Sequence, residues 1–259
     1  MRFIAVFSLV LVSLVAVANS HAQVCAGPET PFWRVDVPAD VSPSADAIGL
    51  ALGRAEAARH SGDVKSAITS THVELPDFDA RAWRRVRGID GREVWQIVIR
   101  SEGATFLRAH FPAFDLADGD VVTYAPEDSI ATAVVDRRRG GSDDGLWSPI
   151  VEGDTMVIEL RASADDLPTL VVDRVSHGLP GALWRTKEQV CHVDVNCDPA
   201  WSERKSGVGM MQFEVFGFGS GCTGSLIADM PETGRPWFLS ANHCLSDQST
   251  ANTLVVFWN

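Results

Sequence analysis

The amino-acid sequence predicts a mainly β protein in two parts behind an export signal. Three observations carry this. Short runs of alternating apolar and polar residues, separated by Gly, Pro and Asp turns, fill residues 65 to about 180. The character of the chain then changes within "HGLPGALWRTKEQVC", and four of the five cysteines fall from Cys191 onward. Only one early segment carries helical composition.

The chain opens with Arg2, an apolar run from Phe3 to Ala18 and the small-residue stretch "ANSHAQV". The run is shorter than the roughly 20 residues a membrane-spanning helix needs, and small residues at Ser20 and Ala22 suit cleavage after Ala22. Residues 1–22 are therefore expected to be a signal peptide that directs the chain to the periplasm or the exterior. Val24 before Cys25 is too bulky to favour lipid attachment at that cysteine. A formal net charge of −12 argues against nucleic acid as a partner, because phosphates would be repelled. Arg137, Arg138 and Arg139 sit beside Gly140, Gly141, Asp143 and Asp144, which reads as a solvated loop.

Residues 23 to about 45 read as an irregular leader. "ADAIGLALGRAEAARH", Ala45 to His60, predicts a helix with Ser42 or Ser44 as cap and Gly62 as stop. Strands follow: "AWRRVR", a turn at Asp90-Gly91, then "EVWQIVIR", where Trp95, Ile97 and Ile99 alternate with Gln96, Val98 and Arg100. "ATFLRAHF" places Leu107, Ala109 and Phe111 on one face, and "DVVTYA", "TAVV", "DTMVIELR" and "TLVVDRVS" complete a β-sandwich-like domain. That domain has no cysteine and must rely on its core, to which Trp83, Trp95, Phe106, Phe111 and Trp147 are expected to contribute.

The boundary is expected between Gly178 and Cys191. Beyond it, "GMMQFEVFG", "SGCTGSLIA", "WFLSANHC" and "TLVVFWN" read as antiparallel strands. A disulfide between Cys222 and Cys244 would close a loop of about 22 residues, stabilise the fold by roughly 3 kcal/mol and pin His243 against the strand of Cys222. Cys191, His192, Cys197, His243 and Cys244 lack the paired spacing of a zinc site, and exported cysteines usually oxidise. Neither a metal nor another cofactor is expected.

"CTGSLI" followed by "FLSANHC" resembles the first strands of a chymotrypsin-like serine protease, in which the second turn carries the general base. "CHVDVNC" and the closing "VVFWN" narrow the resemblance to the bacterial lysyl endopeptidase-like branch, secreted Lys- or Arg-directed endopeptidases made as precursors. "GREVWQIVIRSEGATFLRAHF" and "LWSPIVEGDTMVIEL" resemble the pro-region of that group. The resemblance implies residues 23–187 as pro-region and 188–259 as an incomplete first β-barrel of the protease domain. It implies His243 as catalytic base, protein or peptide substrates, a pro-region that contacts its own protease domain, and cleavage near Arg185 or Lys187. By the same resemblance Cys191 and Cys197 pair with cysteines further along, so both are unpaired here.

Such a base needs a serine nucleophile and an orienting aspartate. In this family both follow the histidine, and no G-D-S-G-like or G-S-S-G-like turn occurs in these residues. Asp247 is too close to His243 to be that aspartate, and Ser225 matches a strand position. The expectation is a chain truncated after the histidine-bearing strand and inactive alone. The alternative is a non-catalytic exported β-protein whose sandwich binds or inhibits a protease.

Overall fold

A computed structural model of the chain describes residues 12–13, 41–61, 67–79, 83–89, 92–115, 119–126, 133–135, 145–163, 169–181, 198–231 and 233–258. Cys25, Gly62, Asp90-Gly91, the arginine run 137–139, Arg185, Lys187, Cys191 and Cys197 lie outside these residues, as does the signal-like segment apart from the two-residue strand β1 (Val12–Ser13).

The predicted helix is α1 (Ala45–Ser61). Ser44 caps it: its Oγ accepts from the Ala47 amide at 3.1 Å and its carbonyl from Ile48 at 3.0 Å. Ala51 and Ala55 are the buried residues of its inner face. Such small side chains let the helix lie close on strand β2 (Ala67–Asp79), where Thr71 Oγ1 donates to the Ala51 carbonyl and Arg54 to the His72 carbonyl.

Strands then follow as β3 (Arg84–Ile89), β4 (Arg92–Arg100), β5 (Phe106–Phe111), β6 (Ala113–Asp115), β7 (Gly119–Tyr124), β8 (Ala133–Val135), β9 (Leu146–Trp147), β10 (Val151–Glu152), β11 (Thr155–Ser163) and β12 (Thr169–Gly178). After the expected boundary come β13 (Val208–Val215), β14 (Phe218–Ile227), β15 (Trp237–Leu239), the short helix α3 (Gln248–Asn252) and β16 (Val255–Trp258), with α2 (Ser202–Lys205) before β13. Among the described residues the named strands pair antiparallel, as expected of hairpin-connected strands, and an isolated bridge from Val41 to Ile99 is parallel.

Two sheets result. One runs β3-β4-β11-β7-β8. The other runs β1-β15-β14-β2-β12-β5-β10, with β13 and β16 continuing beyond β14. They share one core, in which Ile97, Ile99, Ile158 and Leu160 of the first sheet meet Val73, Leu107, Phe111 and Val175 of the second. Trp83 and Trp95 lie in this core as predicted, and Phe106 and Trp147 are buried too.

The half-buried character expected of "EVWQIVIR" is not what forms. Val94, Gln96 and Val98 are buried along with Trp95, Ile97 and Ile99. The outer face of the sheet has its own apolar cluster of Val98, Val122, Tyr124 and Val157, and Gln96 donates to Glu159 there at 3.0 Å. Likewise every residue of β5 is buried, because its second face is covered by β13 and the chain after α3.

The larger sheet crosses the predicted domain boundary. Strand β14 pairs on one edge with β13; on its other edge it pairs with β2 along Phe218–Gly221 and with β15 along Ser225–Ile227. The residues on either side of Gly178 to Cys191 therefore share one hydrogen-bonded ladder. Among the described residues no helix is long and apolar enough to cross a membrane.

Candidate active site

His243 sits on a turn just after β15. The turn is closed by the Cys244 amide donating to the Ala241 carbonyl at 2.9 Å, and Ser240 Oγ ties it to β14 by donating to the Thr223 carbonyl at 2.9 Å. Cys244 is bonded to Cys222 of β14, with Cα atoms 6.2 Å apart. Register reinforces the bond: Ser225 lies opposite Leu239 and Leu226 opposite Phe238. A side chain at Gly224 would strike the Phe238 ring at 2.4 Å, so only glycine lets β15 lie this close. Underneath, Cys244 and Leu245 pack with Met211, Phe213 and Phe238.

The backbone on both sides of His243 is thus fixed while its imidazole stays exposed. Among the described residues the ring makes no hydrogen bond. A ring nitrogen of His243 and the sulfurs of Cys222 and Cys244 lie within 4.8 Å of one another. Since the two sulfurs are bonded to each other, they are not thiolates, and this trio is not a metal site.

Asp247 has a different task. It is the N-cap of α3, accepting from the Thr250 amide at 2.8 Å and from Ser249 Oγ at 2.6 Å. The Ser249 and Thr250 hydrogen bonds hold its carboxyl below the usual aspartate range. Ser225 lies within β14, paired with Val208 and Leu239.

A second cluster carries no signal in the sequence. Glu214 of β13 is buried and meets Arg108 of β5, whose Nη1 donates to Oε1 at 2.6 Å. On its other oxygen, Oε2 takes His72 Nε2 at 3.0 Å and Ser176 Oγ at 3.1 Å. Arg108, 1% exposed, also donates from Nε to the Ser148 carbonyl and from Nη2 to the Thr253 carbonyl. Trp147 stacks near both His72 and His110, at 4.7 and 4.8 Å. Burial raises the Glu214 pKa, but the Arg108 charge and the His72 and Ser176 hydrogen bonds outweigh it, so the carboxyl stays below its ordinary value. A cleft of about 510 Å³ opens beside this cluster, lined among others by His72, Trp147, Glu214, Phe216 and Asp247.

Comparison with known proteins finds similarity in the C-terminal part and, more broadly, along most of the chain. Residues 186–259 match the family model described as lysyl endopeptidase, C-terminal domain. An alignment of 208 residues, taking in 71% of the chain, is 28% identical to a lysyl endopeptidase of Pseudomonas aeruginosa. It covers 44% of that protein, so the chain spans less than half the length of this relative. Both comparisons thus show similarity to lysyl endopeptidases. The family match contains Cys222, His243 and Cys244, and it begins at Thr186, between the two basic residues proposed for cleavage.

Proposed function

We propose that this chain supplies the pro-region and the general base of an exported serine endopeptidase that cuts peptide bonds after Lys or Arg. The observation that carries the reading is His243 itself: an exposed imidazole on a turn whose following residue is disulfide-bonded to the neighbouring strand. A serine hydroxyl becomes a nucleophile only when an imidazole takes its proton; the same imidazole then returns that proton to the leaving amine. A fixed backbone with a free ring suits that exchange. In this reading the serine and the orienting aspartate come from outside the described residues, residues 188–259 are the beginning of a chymotrypsin-like barrel, and residues 1–22 are removed on export. Residues 23–187 form the pro-region, with Arg185 and Lys187 as the candidates for maturation cleavage.

The test is His243→Ala in the secreted gene product, assayed on peptides with Lys or Arg before the scissile bond. The expected loss in kcat is on the order of 10⁶, as for the histidine of subtilisin. Activity within tenfold of the parent would overturn the assignment. A second reading, residues 23–187 as a binding or inhibitory module in their own right, is favoured by one observation, the pairing of β2 with the protease-like strand β14.

A further inference from the structure

The donors around His243 have a chemistry that depends on the state of the two sulfurs. A ring nitrogen of His243 and the Sγ atoms of Cys222 and Cys244 fall within 4.8 Å of one another, and no other such trio of ligand atoms occurs among the described residues. While the sulfurs are bonded to each other they take no metal. Reduction changes the donor set. A dithiol supplies two electrons and two protons and leaves as a cyclic disulfide, and Cys222 and Cys244 become two thiols beside an imidazole. Two thiolates and a neutral imidazole are donors that Zn²⁺ prefers over carboxylate or carbonyl oxygen.

The scaffold that gathers these donors does not rest on the sulfur bond alone. Strand β15 stays in register with β14 through Phe238 opposite Leu226 and Leu239 opposite Ser225. Ser240 Oγ donates to the Thr223 carbonyl, and the Cys244 amide closes the turn on the Ala241 carbonyl. Met211, Phe213 and Phe238 pack beneath Cys244. Zn–S bonds of roughly 2.3 Å and Zn–N bonds of roughly 2.0 Å set the donor atoms of a tetrahedral ion about 3.5–4 Å apart. Donors already within 4.8 Å, on Cys222 and Cys244 backbones whose Cα atoms are 6.2 Å apart, reach that spacing by side-chain rotation. Cys244 is buried, Cys222 half-buried and His243 exposed, so an ion bound here lies at the surface with a fourth position open to water.

We propose that reduced Cys222 and Cys244 join His243 in a zinc site, which gives this pair of cysteines two states. Oxidised, it fixes the turn and leaves the imidazole free. Reduced, it binds Zn²⁺ together with the ring nitrogen, and the two thiol protons are released. Reoxidation expels the ion because it removes both thiolates. The biological sense of the switch rests on the proposed role of His243: a zinc-bound ring cannot take a serine proton, so the base is blocked in a reducing compartment and freed in an oxidising one. The metal site itself does not depend on catalysis.

The experiment uses the full chain with Cys25, Cys191 and Cys197 replaced by Ser, reduced with a phosphine that is then removed without air. The probe is Co²⁺. The reduced chain is expected to bind one equivalent with a thiolate charge-transfer band in the near ultraviolet, displaced by Zn²⁺, and the oxidised chain to show no band. His243→Ala and Cys222→Ser are each expected to weaken Co²⁺ binding by about 100-fold or more, beyond the loss of an outer hydrogen bond to a ligand. No band on reduction, the same band before reduction, or a band that His243→Ala leaves unchanged would overturn the proposal. Should the serine background fail to fold, the unsubstituted reduced chain decides by mass spectrometry. Zn²⁺ should slow alkylation of Cys222 by N-ethylmaleimide and acylation of His243 by diethyl pyrocarbonate, and an unchanged rate at either residue refutes the site. The activity assay of His243→Ala reads the oxidised product and this binding reads the reduced chain, so the two claims fall separately.

Discussion

The strands of residues 67–178 and the segment 208–258 are stabilised by different means. The first enclose a shared core of Trp, Ile, Leu, Phe and Val side chains between two sheets, with no cysteine among them. Among the described residues, the second buries the smaller set Met211, Phe213, Phe238, Cys244 and Leu245, with Val215, Cys222, Leu254 and Val256 half-buried against it, and leaves Leu226, Ile227, Met230 and Trp258 exposed. With less apolar burial, the second depends on staples: the Cys222–Cys244 bond, pairing with β2, and Glu214 held by Arg108 and His72. Core size therefore tells which region stands by itself and which leans on its neighbour.

The sharpest way to break this contrast is Arg108→Ala. It should cost about 3–5 kcal/mol by leaving Glu214 buried without its cation, read as a shift in the denaturation midpoint of the C-terminal part. A loss below about 1 kcal/mol would mean the Arg108–Glu214 contact matters little. Replacing Cys222 and Cys244 together by Ala should cost about 3 kcal/mol, again in the C-terminal part, with the midpoint for residues 67–178 unmoved.

Acid sharpens the comparison further. Asp173 meets His110 Nδ1 at 2.6 Å and Arg174 at 2.8 Å. Burial raises its pKa, but these two partners outweigh it and pull it from the ordinary 3.8 down to about 2. The carboxyl of Glu214 is also held below its ordinary 4.5. A carboxyl whose pKa falls on folding contributes stability that is full above its unfolded value and lost as pH drops through its folded one. Stability should thus fall between about pH 4.5 and 2, and Glu214→Gln should remove part of that slope. His177 acts in the same direction at higher pH. Burial lowers its pKa, so the fold loses stability as pH falls below the imidazole's ordinary 6.5. The smallest expected effect is a gain: Phe216→Gly should relieve the left-handed backbone and raise stability by about 1 kcal/mol, seen as a higher melting temperature. A drop would show that Phe216 is held by contacts that outweigh its strain.

Local signals made much of the fold legible. Helix α1 was announced by helix-forming residues behind Ser44, and the strands by two-residue alternation and turn residues. The histidine turn was legible through "CTGSLI" and "FLSANHC", since cysteine spacing and glycine placement are local. The contact between Arg108 and Glu214 was not. In "FLRAHF" the Arg108 and His110 positions look like the solvent face of a half-buried strand, and nothing nearby shows that another segment covers them. The partner, Glu214, lies far along the chain in "MQFEVF", where a single acid between apolar residues again reads as solvent-facing. Burial of both was a property of tertiary pairing, and only β14 lying on β2 brings Glu214 to Arg108.

The most direct measurement on the central claim is covalent labelling of His243. A chloromethyl ketone carrying a lysine side chain places its alkylating carbon beside the general base of a lysine-accepting protease. Mass spectrometry of the treated, secreted gene product should find one adduct, on the His243 imidazole, lost when the protein is denatured before treatment. Labelling of other histidines alone, or none, would contradict the assignment of His243 as the base of a Lys-directed endopeptidase.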